Sequence, residues 1–196
     1  MRPIRAVLTG DLIRSRKAPP QSVEDAMRVL AGAADDLSQI QRADTRFTRF
    51  RGDGWQIYVD APELSLDAML YLSARLAASR TGLATRISIA FGTVDSLGSS
   101  DLSDASGEAF TLSGEALDQM TRGERIALAN RMIVTDWHVA VFELTAWIAS
   151  RWTPEQAEAY AQLYPPNPDW TYPTQEEIAS RLGITRQTVH CWRNGV

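Results

Sequence analysis

Hydrophobic and polar positions alternate along the first two thirds of the chain with two periods, near two residues in short runs and near 3.6 in longer ones. The short runs predict strands, and the longer runs predict amphipathic helices. The predicted elements are a strand at 4–9, a helix at 23–40, a hairpin at 46–60, a helix from 62 to about 82, a strand at 86–94, a helix at 109–120 and a strand at 126–129. This order predicts one α/β module over residues 1–135.

Three segments of this module carry finer predictions. The strand at 4–9 ends at Gly10-Asp11, which suits a buried central strand with Asp11 at its carboxyl end. The strand at 86–94 alternates apolar with small or polar residues, so we expect one buried face. The polar, glycine-punctuated stretch 95–107 predicts a mobile surface loop.

The pattern changes to helix only from Asp136 onward. Apolar residues at helical spacing predict an amphipathic helix there, with Trp137, Leu144 and Trp147 on one face. We therefore place a domain boundary near Asp136 and expect an all-helical region over 136–196.

The last 23 residues, from Thr174 to Val196, contain a helix–turn–helix pattern. Thr174 and Glu177 form a capping box, Gly183 suits a left-handed turn, and Thr185 suits the start of a second helix. The segment 174–194 resembles the helix-turn-helix of sigma-factor carboxyl-terminal regions and of many bacterial regulators, which bind double-stranded DNA.

The resemblance implies a recognition helix with its outward residues facing base edges and phosphates. The residues it assigns to DNA are Thr185, Arg186, Gln187, His190 and Arg193. Two other interpretations stay open: a helical hairpin that packs on the first module, or a helix-turn-helix that contacts protein.

Composition sets limits on these interpretations. The chain is 44% hydrophobic and 22% charged, as in folded globular proteins, and its net charge of −4 excludes a nucleic-acid-binding surface over the whole molecule. Any DNA contact is therefore local, and because a monomer would bind weakly we expect a homodimer or a larger assembly. The single cysteine, Cys191, excludes an internal disulfide. No apolar run is long enough to span a membrane or to serve as a signal peptide, so we expect a cytoplasmic protein without membrane contact.

Two aspartates are candidate metal ligands. Asp11 follows a central strand, and Asp53 lies between two glycines at the tip of the predicted hairpin. Carboxylates from adjacent strands can share a divalent cation, although a glycine-flanked aspartate is also common in a turn that binds nothing.

The motifs around these aspartates resemble a known class of domains. The stretches TGDLIRSR, RGDGWQIYV, RISIAFGTV and SGEAFTLSGEAL are similar to the palm domain of class III nucleotide cyclases and GGDEF-type synthases. They also resemble the SatD family, in which such a domain precedes a helix-turn-helix. The fold class implied is α/β, ferredoxin-like, with a palm-type antiparallel sheet and helices, followed by a small all-α domain.

The resemblance also implies ligands. Asp11 and Asp53 would hold magnesium, together with the backbone carbonyl of Leu12, and the following loop would bind a nucleoside triphosphate. The loop residues concerned are Leu12, Arg14, Ser15, Arg16 and Lys17.

Two positions depart from the cyclase pattern. Thr111 and Glu115 stand where cyclases carry an asparagine and an arginine that act in the transition state. Unless Arg122 or Arg125 replaces them, we expect nucleotide binding without turnover. The sequence therefore predicts a DNA-binding regulator with a nucleotide- and magnesium-binding sensory domain. The alternatives are an active nucleotidyl cyclase or synthase, whose tail serves oligomerisation or localisation, and an adaptor that binds only protein.

Overall fold

Five strands form a single mixed sheet. The computed structural model of the chain describes residues 2–99, 101–130, 132–163 and 174–194, with side chains of the last helix described as far as residue 190. The strands are β1 (Arg5–Ile13), β2 (Phe47–Phe50), β3 (Gly54–Val59), β4 (Ala84–Gly92) and β5 (Ile126–Ala129). Their order is β2-β3-β1-β4-β5, with β5 parallel to β4 and the other neighbouring pairs antiparallel.

Seven α-helices lie within the described residues. They are α1 (Pro20–Gln41), α2 (Ser65–Ala78), α3 (Glu108–Gln119), α4 (Asp136–Ala149), α5 (Pro154–Leu163), α6 (Gln175–Leu182) and α7 (Arg186–Asn194). The sequence β1-α1-β2-β3-α2-β4 with this strand order is the ferredoxin-like arrangement of palm domains, and β5 extends it by one parallel strand. The predicted fold class is confirmed.

Helices cover both faces of the sheet. On one face, Leu8 of β1 and Ile57 of β3 belong to a core that also includes Leu30 of α1 and Leu72 of α2. On the other face, Val7 of β1 packs in a smaller cluster with residues of α3. Because β1 lies at the centre and both of its faces are buried, its sequence is a nearly continuous apolar run rather than an alternating one.

The prediction that only one face of β4 is buried is wrong. Ser88 and Ala90 of β4, assigned to an open face, are both fully buried because α3 lies over them. The stretch 95–107 lies mostly at the surface, as predicted, and within it Leu102 is buried in the smaller cluster. The first strand is also longer than predicted: β1 continues to Ile13, so Asp11 lies within the strand and not at its end.

The helical part of the chain begins with α4 at Asp136, the predicted position. Phe142 and Ala146 of α4 join the larger core. The boundary at residue 135 between two domains remains a prediction. No helix among the described residues combines the length and apolar character needed to cross a membrane.

The last two helices have the predicted turn. Thr174 and Glu177 form the capping box at the start of α6, and Gly183 adopts a left-handed conformation with φ 63° at its end. Ala179 of α6 and Val189 of α7 are buried. The small Ala179 side chain leaves room for α7 to cross closely.

Candidate functional site

The two predicted metal ligands line one cavity. Asp11 is paired with Gly54 in the antiparallel register of β1 and β3, so Asp53 comes one residue before that pair. The Leu12 N–H donates to the Asp53 carbonyl at 3.1 Å, which joins the β2–β3 turn to β1 at this point. Asp11 and Asp53 both line an open cavity of about 740 Å³. The structure therefore brings together two residues that are 42 positions apart in sequence.

The backbone at Asp11 is held by packing and hydrogen bonds. Trp55 lies so close to Gly10 that a Cβ at position 10 would come within 2.4 Å of its ring. The Trp55 Nε1–H donates to Thr85 Oγ1 at 3.0 Å, and the Thr85 hydroxyl donates to the Asp11 carbonyl at 2.8 Å. Gly10 is thus required for packing against Trp55. This packing holds the backbone of the next residue, Asp11, at the cavity.

Both carboxylate oxygens of Asp11 accept hydrogen bonds from Arg86. Arg86, opposite Asp11 on β4, donates from Nε to Oδ1 at 2.7 Å and from Nη2 to Oδ2 at 2.8 Å. Its Nη1 donates to the Met120 carbonyl at 3.2 Å. The hydrogen bonds to Asp11 and the charge of that carboxylate raise the pKa of Arg86 above its usual value. Arg86 is therefore a permanent cation, and it competes with any metal for Asp11.

Asp53 has a weaker partner. Its Oδ2 accepts a hydrogen bond from the Ser15 hydroxyl, which belongs to a 3-10 turn just after β1. Arg14, at the start of this turn, has a left-handed conformation with φ 64°. The chain reverses here, and the turn thereby lines the cavity next to Asp53.

Cationic side chains dominate the cavity wall. Three acidic and six cationic side chains line it, a formal charge of +3 in a chain whose net charge is −4. The acids are Asp11, Asp53 and Glu124, and the cations are Arg14, Arg16, Lys17, Arg86, Arg122 and Arg125. A concave surface with this charge concentrates anionic ligands, and guanidinium groups suit phosphate oxygens in particular.

All five residues assigned to nucleotide binding lie at this cavity: Leu12, Arg14, Ser15, Arg16 and Lys17. Thr111 and Glu115 lie instead on exposed positions of α3 and do not line it. The roles of Thr111 and Glu115 stay a prediction. Arg122 and Arg125 do line the cavity, as a replacement for the cyclase arginine would require.

The donor atoms suit magnesium carried by phosphate. Among the residues that the structure describes, no group of three or more histidine, cysteine, aspartate or glutamate side chains could enclose a metal ion. Magnesium commonly uses only one or two protein carboxylates and takes its other oxygens from water and from substrate phosphates. Asp11 and Asp53 meet that requirement in number and in chemistry, on the condition that Arg86 releases Asp11.

The DNA-binding candidates lie at the other end of the chain. Arg186, Gln187 and His190 are exposed on α7. The Thr185 hydroxyl accepts a hydrogen bond from the Thr188 N–H at 3.2 Å and so caps α7. The side chain of Arg193 lies outside the described residues.

Sequence reasoning missed two residues of β4 that contact Asp11, namely Arg86, which lines the cavity, and Thr85, which does not. Arg86 has a signal in the sequence, since the alternation of β4 places it on the same face as Ser88. Its pairing with Asp11 depends on the register between β1 and β4, which the hydrophobic pattern does not determine. Thr85 has no signal of its own.

Comparisons with known proteins give two solved structures of similar fold. The guanylyl cyclase Cya2 is 18% identical, with 74% of this chain and 79% of that chain covered and a TM-score of 0.43. A bacterial light-regulated adenylyl cyclase is 17% identical, with 64% of this chain and 74% of that chain covered and a TM-score of 0.43. No protein-family model and no curated protein sequence matches the chain.

Proposed function

We propose that the chain binds a nucleoside triphosphate together with a magnesium ion in the cavity between Asp11 and Asp53. The observation that carries this proposal is the composition of the wall, where three carboxylates, including those of Asp11 and Asp53, stand among six cationic side chains. Carboxylates alone would suit a cation, and cationic side chains alone would suit a free phosphate. The two together suit a phosphate chain that carries its own metal.

The side chains divide the ligand between them. Asp53 and Asp11 would hold the magnesium ion, which when bound neutralises phosphate charge and stabilises the attacking and leaving oxygens of a displacement. Arg14, Arg16 and Lys17, on the turn after β1, would bind the phosphate oxygens.

Equilibrium binding tests this proposal. We expect a fluorescent nucleoside triphosphate to bind in the presence of magnesium and to bind at least tenfold more weakly when magnesium is removed. Asp53→Asn should reduce the magnesium-dependent part of the affinity, because an amide is a poor magnesium ligand. Asp95→Asn, which changes an exposed carboxylate outside the cavity, is the matched control and should bind normally. Equal binding by Asp53→Asn and the wild type would contradict the proposal.

We propose nucleotidyl-cyclase-like turnover as the activity of this site, because Arg122 and Arg125 line the cavity. In that reaction the ribose 3′-hydroxyl attacks the α-phosphate, the new O–P bond closes the ring, pyrophosphate leaves and the hydroxyl proton passes to solvent. An arginine near the leaving group stabilises the charge that develops there. From Thr111 and Glu115 alone we expected nucleotide binding without turnover. That expectation is now the alternative to the turnover proposed for this site.

Pyrophosphate release distinguishes binding from turnover. The protein would be incubated with each of the four triphosphates and magnesium, and the wild type would be compared with Asp11→Asn and with Arg125→Gln. We expect release that is lost in Asp11→Asn and reduced at least tenfold in Arg125→Gln. Binding without any release would limit the function to that of a nucleotide sensor.

We also propose that α6 and α7 bind duplex DNA. The support is the left-handed Gly183 between two capped helices and the exposed row of Arg186, Gln187 and His190. A gel-shift titration with random-sequence duplex DNA at low salt tests it, with Arg186→Ala as the variant. Arg28→Ala, at an exposed position on α1, is the control. Identical titrations of Arg186→Ala and the wild type would reject this role of α7.

A further inference from the structure

The large exposed apolar side chains of the described residues all lie within one short segment. They are Met132, Ile133, Trp137, Leu144, Trp147 and Ile148. Elsewhere in the described structure, large apolar side chains are at least partly covered. A concentration of exposed apolar side chains of this kind on a globular domain marks a surface that another molecule covers.

Helix α4 carries most of the patch on the face that points away from the core. Phe142, Ala146 and Ala149 are buried beneath the helix. On the opposite side, Trp137 is 74% exposed and Leu144 is 59% exposed. These two residues are seven positions apart. Ala140 lies three positions after Trp137, and Trp147 lies three positions after Leu144. This alternating spacing of three and four residues is the spacing of a helix–helix contact.

We propose that α4 pairs with α4 of a second copy of this chain in antiparallel orientation. The charges along the helix favour that direction. Asp136 is the first residue of α4 and Glu143 lies near its middle, whereas Arg151 follows the carboxyl end and stacks on Trp147 with its guanidinium carbon 3.9 Å from the ring centroid. Antiparallel pairing places each Arg151 near Asp136 at the amino end of the other helix, and it also aligns the helix dipoles favourably.

The available area agrees with a dimer. The four large apolar residues of α4 expose about 500 Å² of side-chain surface per chain, taking an exposed tryptophan as about 250 Å². Ile133 and Met132, which precede α4 in the chain, are also exposed. Specific interfaces bury about 800 Å² per partner, so the patch supplies most of what a stable dimer needs. A cavity of about 300 Å³ beside Trp147 offers a recess for a partner side chain.

The oligomeric state in solution tests the interface. Sedimentation equilibrium of the full chain should give twice the 21.7 kDa chain mass. Leu144→Glu should raise the dissociation constant at least 100-fold without lowering the melting temperature of the monomer, because Leu144 is exposed and supports no core contact. Gln39→Glu, which adds the same charge at an exposed position of α1, should remain dimeric. A monomeric wild type, or a dimer that Leu144→Glu leaves intact, would overturn the proposal.

Cysteine cross-linking tests the orientation. In a Cys191→Ser background, Leu144→Cys lies near the twofold axis of an antiparallel pair and should oxidise to a covalent dimer. Asp136→Cys lies eight residues away, which separates it from its mate by about 24 Å, too far for a disulfide. Efficient cross-linking of both variants would show a parallel pair, and cross-linking of neither would show a different interface. Neither readout involves nucleotide, so this inference stands or fails independently of the proposed function.

Discussion

Replacing Arg86 with glutamine should tighten the binding of a divalent cation at Asp11. In the present structure both carboxylate oxygens of Asp11 accept hydrogen bonds from Arg86, at 2.7 and 2.8 Å. A cation that binds Asp11 must displace this guanidinium, so the free energy of the ion pair is subtracted from the free energy of cation binding. Removal of the guanidinium also removes a positive charge that repels the cation.

The structure sets the size of this effect. A charge-assisted pair with two hydrogen bonds exceeds the value of an exposed ion pair, but the side chains of Arg86 and Asp11 are still 29% and 28% exposed, and solvent reduces their interaction. We therefore assign the pair about 1–2 kcal/mol. That free energy corresponds to an increase of about 5- to 30-fold in cation affinity for Arg86→Gln.

Manganese is the suitable probe, because it binds the same oxygen ligands as magnesium and its free concentration is measurable by electron paramagnetic resonance. The titration would use Mn²⁺ without nucleotide, so that any loss of phosphate binding by Arg86 does not affect the result. Arg5→Gln is the matched control, since Arg5 forms a comparably exposed ion pair with Asp60 away from the cavity. Equal or weaker Mn²⁺ binding by Arg86→Gln would refute the competition between Arg86 and the cation.

A double-mutant cycle measures the pair itself. Urea unfolding of the wild type, Asp11→Asn, Arg86→Gln and the double variant should give a coupling free energy of about 1–2 kcal/mol. A coupling near zero would show that the ion pair does not oppose cation binding.

Two further predictions concern the sheet around the site. Gly10→Ala should lower the free energy of unfolding by about 1–3 kcal/mol in urea melts, because the new methyl group meets the Trp55 ring. The control Gly32→Ala, in open space on α1, should be neutral or stabilising. Equal effects of the two substitutions would contradict this packing. Burial of Tyr58, together with its hydrogen bond to Asp60, raises the pKa of its hydroxyl, so the stability it contributes is present below about pH 10 and lost as the pH rises further. Tyr58→Phe should therefore show a smaller fall in unfolding free energy between about pH 10 and 11.5, and an unchanged slope would contradict this assignment.

The sequence contained enough information to predict most secondary-structure elements and the two aspartates of the site. Short apolar runs and helical spacings predict all five strands and the helices α1 to α3 to within a few residues, because each element buries at least one face. The Asp11 and Asp53 motifs also stand out, since glycine beside aspartate is a local signal. Their convergence follows once β1 and β3 are neighbours, as the hairpin and the resemblance to a palm domain both imply.

The remaining features depend on contacts between distant segments. The burial of Ser88 results from α3 packing over β4, and no local pattern distinguishes a small residue under a helix from one facing solvent. The pairing of Arg86 with Asp11 depends on strand register. Likewise, the sequence predicts that α4 is amphipathic, but only the tertiary structure shows that its tryptophans face outward while Phe142 and Ala146 face the core.

The central claim is that Asp11 and Asp53 act together on one nucleotide–metal ligand, and a magnesium-dependent thermal shift tests it most directly. At a ligand concentration 100 times its dissociation constant, binding to the folded state adds about 2.7 kcal/mol of stability, which raises the melting temperature of a chain of this size by about 5–11 °C. We predict that shift for a nucleoside triphosphate with magnesium, with most of it lost in Asp11→Asn and in Asp53→Asn. A wild-type melting temperature that none of the four triphosphates changes, with or without magnesium, would contradict the account.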